Sequence, residues 1–150
     1  AGRPTFIYID PRWPPDILLA LQTNALSMPA GEGIGAVVFA DIMARLLRGL
    51  THLYVFTDST AVVAAINSGN SDSPQLNAIV RWLFERQPQL QLLALHQAGK
   101  RNDAADGLSR ADSARIISEA ASTGALVKEA DGTQAMHALA RMALQMPQRS

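Results

Sequence analysis

Two hydrophobic rhythms alternate along the chain. Thr5 to Ile9 (TFIYI) is a short run rich in β-branched and aromatic residues, which predicts a strand ending at Asp10. Pro11, Pro14 and Pro15 then break the backbone, so Arg12 and Trp13 are expected in a turn. Ile17 to Gln22 is a short apolar run that fits strand or helix equally, and Ser27 to Gly33 reads as a loop. From about Gly35 to Leu47 the apolar residues Val37, Val38, Ala40, Ile42, Met43, Leu46 and Leu47 recur at helical spacing, and Gly49 supplies a stop.

The rhythm changes again at Leu53 to Thr57, a run without clean alternation that predicts a strand buried on both faces. Ser59 or Thr60 could cap a following helix whose inner face is Val62, Val63 and Ile66. Gly69 to Ser73 is a loop, and Ser73 is placed to cap a helix from Pro74 to about Arg86 that Pro88 ends. Leu90 to Leu95 predicts another strand, and His96 to Asn102 a loop. Asp103 would then cap a helix reaching about Ala121. After a break at Asp131 and Gly132, a helix is expected over Thr133 to Met146. Its apolar stripe of Met136, Leu139, Ala143 and Met146 suits packing on the domain better than a partner site. Strands separated by helices imply an α/β fold with helices layered on a mixed sheet.

Composition narrows the class. A chain of 150 residues, 48% apolar and only 17% charged, suits one globular domain rather than a disordered segment. No apolar run approaches the ~20 residues that cross a bilayer, so no membrane partner is expected, and no signal-peptide pattern opens the chain. The absence of cysteine excludes disulfides and thiolate zinc sites and fits an intracellular location. Zero net charge argues against a broad basic surface, so a nucleic-acid partner would have to be held locally. The chain begins with Ala rather than Met, which fits either an expressed segment or a piece of a longer polyprotein.

The chemistry-bearing residues are ordinary one at a time. Glu32 would lie just before a helix or in its first turn, where an acid complements the helix dipole. Asp58 follows a strand and precedes a helix, a place for functional groups in α/β proteins and also for a helix cap. Asp106 would sit in the first turn of its helix; His96 ends a strand, and Asn102 is a common turn former. Their order and spacing are less ordinary. Two acids from sequence-distant elements, with a histidine and an amide beside one of them, are what divalent-metal hydrolysis of a phosphodiester would need.

The strand–Thr57–Asp58–Ser59 segment, followed by Val62, Val63 and Ile66, resembles the fourth-strand segment of ribonuclease H domains. His96, Asn102 and Asp106 reproduce the family's spacing of loop histidine, supporting asparagine and last catalytic aspartate. The ending Asn102-x-x-Ala105-Asp106-x-Leu108-Ser109-Arg110 is similar to the ribonuclease H of retrotransposon reverse transcriptases, of the Ty3-like and tyrosine-recombinase (DIRS-like) kinds. Glu32, 26 residues before Asp58, stands where the family has a helix-borne glutamate. The resemblance covers residues 32 to 110. It implies a ribonuclease-H-like mixed sheet flanked by helices over residues 1–121, with residues 122–150 a C-terminal helical extension or the start of a linker.

The N-terminus departs from that pattern. The family places its first catalytic aspartate on strand one, then a two-strand hairpin, then the glutamate helix. Here only 21 residues separate Asp10 from Glu32, three prolines stand near Asp10, and Pro11-Arg12-Trp13 replaces the small residues expected after the aspartate. Either the hairpin is reduced and Asp10 is a metal ligand, or strand one is missing and TFIYI is a later strand.

The resemblance implies a magnesium-dependent endoribonuclease that cuts the RNA strand of an RNA·DNA hybrid, contiguous with a reverse transcriptase domain. Mg²⁺ is a hard ion that takes oxygen ligands and keeps several waters while binding phosphate. Two such ions, with Mn²⁺ able to substitute, would be held by Asp10, Glu32, Asp58 and Asp106. His96 would move a proton or help product leave. Ser59, Lys100, Arg101 and Asn102 are the substrate-side candidates, with Asn102 more a loop fixer than a contact. The other reading is a non-catalytic ribonuclease-H-like module that serves as scaffold or nucleic-acid-binding part of a larger replication protein.

Overall fold

The computed structural model describes residues 5–9, 13–97, 118–119, 121–124 and 126–147. Its elements run β1 (Thr5–Ile9), α1 (Pro15–Gln22), α2 (Met28–Leu46), β2 (His52–Thr57), α3 (Thr60–Ser68), α4 (Pro74–Arg86), β3 (Gln91–His96), β4 (Leu126–Ala130) and α5 (Thr133–Leu144). The class is α/β, as the alternating rhythms imply. The sheet is simpler than expected: β2 pairs with β3 and β1 with β4, both parallel, with no antiparallel pair among the described residues. A parallel pair needs a long crossover, and α3 and α4 together supply the one between β2 and β3.

Local chemistry accounts for most helix starts. Ser59, Ser73 and Ser27 each accept a backbone N–H three residues on, from Val62, Leu76 and Ala30 respectively. Proline stands in the first turn of α1, α2 and α4, where its missing N–H costs nothing. The run Ile17 to Gln22, open between strand and helix in sequence, is therefore helical.

The start of α2 is a correction. The glycine-bearing stretch after Ser27 is helix rather than loop, so α2 begins at Met28 and not near Gly35. Tertiary packing outweighs the poor helix propensity of glycine here. A Cβ on Gly33 would lie 2.6 Å from Leu76 Cδ1, so the bare backbone lets α2 approach α4 closely.

One cluster holds the core of α1, α2, α4 and α5, with Ile17, Ile34, Val37, Val38, Ile79 and Leu139 almost or fully inaccessible. The α5 stripe of Met136, Leu139 and Ala143 belongs to it, so this helix is an integral part of the packed body. A second cluster joins Val62, Ala65 and Ile66 of α3 to Leu76 and Val80 of α4 and Ala94 of β3. Asn67 ties α3 to the strand as well: its amide donates to Ala94 O at 2.9 Å and its Oδ1 accepts Ala94 N–H at 2.8 Å. That side chain satisfies backbone groups as a further strand would.

The strand β2 is not buried on both faces, contrary to expectation. Val55 and its register partner Ala94 face the core, whereas Tyr54, Phe56, Leu93 and Leu95 are 64%, 53%, 43% and 37% exposed. The missing alternation in sequence reflects apolar residues on both faces of a pair that is covered on one.

Within the helical layer, Asp41 of α2 is fully buried. Its Oδ1 accepts from Arg86 Nε at 3.0 Å and Gln87 Nε2 at 2.9 Å. Arg45 Nε lies 3.1 Å from Oδ2 without hydrogen-bond alignment. The Arg86 guanidinium also stacks over Trp82, 5.0 Å from the ring centre.

Candidate functional site

The site is assembled at the carboxyl ends of two parallel strands. In the β2–β3 register Thr57 is opposite His96, and Gln97 N–H donates to Thr57 O at 2.9 Å, so the pairing continues to the last residues of both strands. Asp58 follows directly, exposed, and Ser59 turns the chain into α3. Thr57 Oγ1 accepts Ser59 N–H at 3.2 Å, which tightens that turn. His96 therefore stands on the neighbouring strand at the same edge as Asp58, and is exposed.

Glu32 reaches this edge from another element. It is the fifth residue of α2, in the second turn rather than the first. Because dipole stabilisation fades within the first turn, complementing the helix end explains this acid less well than its sequence position implied. Glu32 is partly buried, and burial together with the negative charge of Asp58 pushes its carboxyl above the ordinary glutamate range. A hydrogen-bonding interaction with the Ser59 side chain works the other way. Residues 26 positions apart in sequence thus share one electrostatic environment.

The other sequence candidates divide simply. Glu32, Asp58 and Ser59 are brought together, and His96 shares their sheet edge. Asp10, Lys100, Arg101, Asn102 and Asp106 lie outside the described residues, as does the start of the helix that Asp103 would cap. The element preceding Asp10 is described: β1 pairs with β4 and is a neighbour of β2 in neither sheet. Between β1 and Glu32 the chain forms α1 and the start of α2, and no hairpin is present in residues 13–31. Among the described residues no group of three or more acids or histidines could hold a metal ion, and no helix is long and apolar enough to cross a membrane.

Sequence reasoning missed the tie between Ser59 and Glu32. The available signal was the position of Ser59 itself, a helix cap immediately after a candidate acid.

The pair fits a divalent cation on the chemistry of its donors. Burial and the negative charge of Asp58 both oppose ionisation of Glu32, and a hard cation would relieve both. No family model, curated protein or solved structure matches the chain.

Proposed function

We propose that this chain is a metal-dependent endoribonuclease that cleaves the RNA strand of RNA·DNA hybrids as part of a retroelement reverse transcriptase polyprotein. The observation that supports this reading is that the charge of Asp58 at the end of β2 acts on the Glu32 carboxyl of α2, beside Ser59, the cap of α3. Glu32 and Asp58 would hold Mg²⁺, joined by Asp106 and, if strand one serves that role, by Asp10. When bound, such ions supply a metal-activated water and charge neutralisation at the phosphodiester. Asp58 is exposed, where a hybrid backbone could come, and Glu32 is partly buried. His96, exposed on the adjacent strand end, would give or take a proton at the leaving oxygen. A hybrid would be recognised by groove shape and 2′-hydroxyls, through local contacts, since a chain of zero net charge offers no broad basic surface.

One observation favours the non-catalytic scaffold instead: β1 pairs with β4, so strand pairing does not itself carry Asp10 to the end of β2. A labelled RNA·DNA hybrid separates the two. The nuclease reading expects Mg²⁺-dependent cleavage that Asp58→Asn and Asp106→Asn each reduce by at least ~10²-fold, the scale expected when a group that holds a metal is lost. Circular dichroism of the variants should match the parent. A parent protein that binds the hybrid but leaves it uncut in Mg²⁺ and in Mn²⁺ decides for the scaffold.

A further inference from the structure

Toward the far end of α2 from Glu32, two arginines converge on one buried carboxylate. Asp41 is 0% exposed, and the Nε atoms of Arg86 and Arg45 stand 3.0 Å and 3.1 Å from its two oxygens. Arg45 belongs to the last turn of α2 and Arg86 is the last residue of α4, so a cation at either place also complements a helix end. That accounts for their sign but not for their attachment to a single acid. Arg141, in the last turn of α5, meets the same helix-end requirement without an ion pair among the described residues.

The structural need of Asp41 is met without Arg45. Its Oδ1 accepts from Arg86 Nε and Gln87 Nε2, and the Arg86 charge balances its own. Arg45 adds a second positive charge but no hydrogen bond, and Oδ2 has no donor among the described residues. One negative charge therefore faces two guanidiniums, which leaves one positive charge in excess. Glu85, the acid beside Arg86 in sequence, is exposed and forms no ion pair with either arginine among the described residues. Each guanidinium has five N–H donors, and the hydrogen bonds to Asp41 use Arg86 Nε alone. Both side chains are about half exposed, so most of those donors are left for a ligand. Trp82 fixes the Arg86 plane a second time, and donors held in place beforehand bind at a lower entropic cost.

We propose that Arg45 and Arg86, anchored on buried Asp41, form a binding site for a phosphate group, whether a free ion or a phosphodiester of a nucleic-acid backbone. Guanidiniums pair with phosphate through parallel N–H···O bonds, and one phosphodiester carries the single negative charge that balances the set. A chain of zero net charge holds a polyanion through a local group of cations, and this is such a group. The site shares no residue with the acid pair, so it does not depend on the nuclease reading.

The test follows the side-chain Nε–H signals of Arg45, Arg86 and Arg141 by NMR in the whole protein. Inorganic phosphate and an RNA·DNA hybrid are added separately, each against chloride at matched ionic strength. The expected result is saturable movement of the Arg45 and Arg86 signals beyond any at Arg141. Read at Arg86, the affinity should fall about 10-fold in Arg45→Gln, the scale of a lost charge-assisted hydrogen bond. That variant leaves Arg86 and Gln87 on Asp41. Should it fail to fold, Arg45→Lys keeps the charge beside Asp41 but lacks the planar fork, and should still bind more weakly than the parent. A response to phosphate alone assigns the site to a free ion. A response to the hybrid, with a log K against log salt slope that shrinks by about 1 in Arg45→Gln, assigns it to a backbone phosphate; either upholds the proposal. Equal movement of all three arginines, or unchanged affinity in the folded variants, overturns it. A hybrid held through Arg45 yet uncut in Mg²⁺ defeats the nuclease reading and upholds the site.

Discussion

Two glycines on α2, one turn or less beyond Glu32, should respond in opposite ways to the same added methyl group. In an exposed or roomy helix interior, Gly→Ala gains about 1 kcal/mol from reduced backbone freedom of the unfolded chain and better helix propensity. At Gly35 nothing lies within 4 Å of the new Cβ, so Gly35→Ala should stabilise the protein by ~0.5–1 kcal/mol. At Gly33 the same Cβ would stand 2.6 Å from Leu76 Cδ1 and 3.7 Å from Ile79 Cγ2. Carbon atoms pack comfortably at about 3.5–4.0 Å, so the Leu76 methyl must retreat by roughly 1 Å. Leu76 is 1% exposed and Ile79 fully buried, which leaves little room for that retreat. Overpacking of this kind costs about 1–3 kcal/mol, so the net effect of Gly33→Ala runs from neutral to ~2 kcal/mol destabilising. The difference between the two variants should be about 1–3 kcal/mol, read as urea midpoints at unchanged slope. Equal stabilisation by both would refute the close approach of α2 to α4.

Asp41→Asn removes the charge from two hydrogen bonds in a buried setting and should destabilise by about 1–3 kcal/mol. Because Asp41 is shielded from solvent, the loss should persist at ~0.5 M salt; its disappearance there would mark the network as an ordinary surface ion pair. Glu32 gives a pH signature. Its carboxyl holds a proton more tightly in the folded protein than in the unfolded chain, so stability should fall as pH rises from the ordinary glutamate range through the raised folded value. Above that window the penalty is fully present, and Glu32→Gln should be more stable than the parent there and no more stable below it. Thermal unfolding of both proteins across the acid-to-neutral range checks this. A variant less stable than the parent at neutral pH contradicts the assigned direction.

The elements most legible in sequence are those that local chemistry specifies. Ser73 and Pro74 announce α4 because a cap and a first-turn proline act within three residues, and the spacing of Met136, Leu139 and Ala143 announces α5 for the same reason. The start of α2 was hidden because its glycines look like loop residues until Leu21 and Leu76 are found packed on them, contacts made from other elements. β4 was hidden too: its LVKEA sequence alternates poorly, and its partner Thr5–Ile9 lies more than a hundred residues earlier. The pairing of Glu32 with Asp58 is an intermediate case. Periodicity places each acid on an element, but only a resemblance to a known arrangement put them on the same edge. The register of β2 against β3 supplies the physical reason that Asp58 and His96 share a sheet edge.

Helix α2 carries two carboxylates that folding treats in opposite ways. Asp41 is wholly enclosed and is answered by hydrogen bonds from Arg86 and Gln87 and by the charge of Arg45. A buried charge left unanswered would cost several kcal/mol, so those partners belong to the stability of the body. Glu32, two and a half turns earlier on the same helix, is partly buried near a second acid, and among the described residues the interaction favouring its charge is with a serine side chain. A fold selected for stability alone has an easy remedy, since a glutamine at this position would keep the shape and remove the repulsion. An acid kept where burial and a neighbouring charge oppose its ionisation is what the cation site proposed above would need. The contrast within one helix therefore separates a carboxylate whose charge the fold answers from one whose charge the fold opposes.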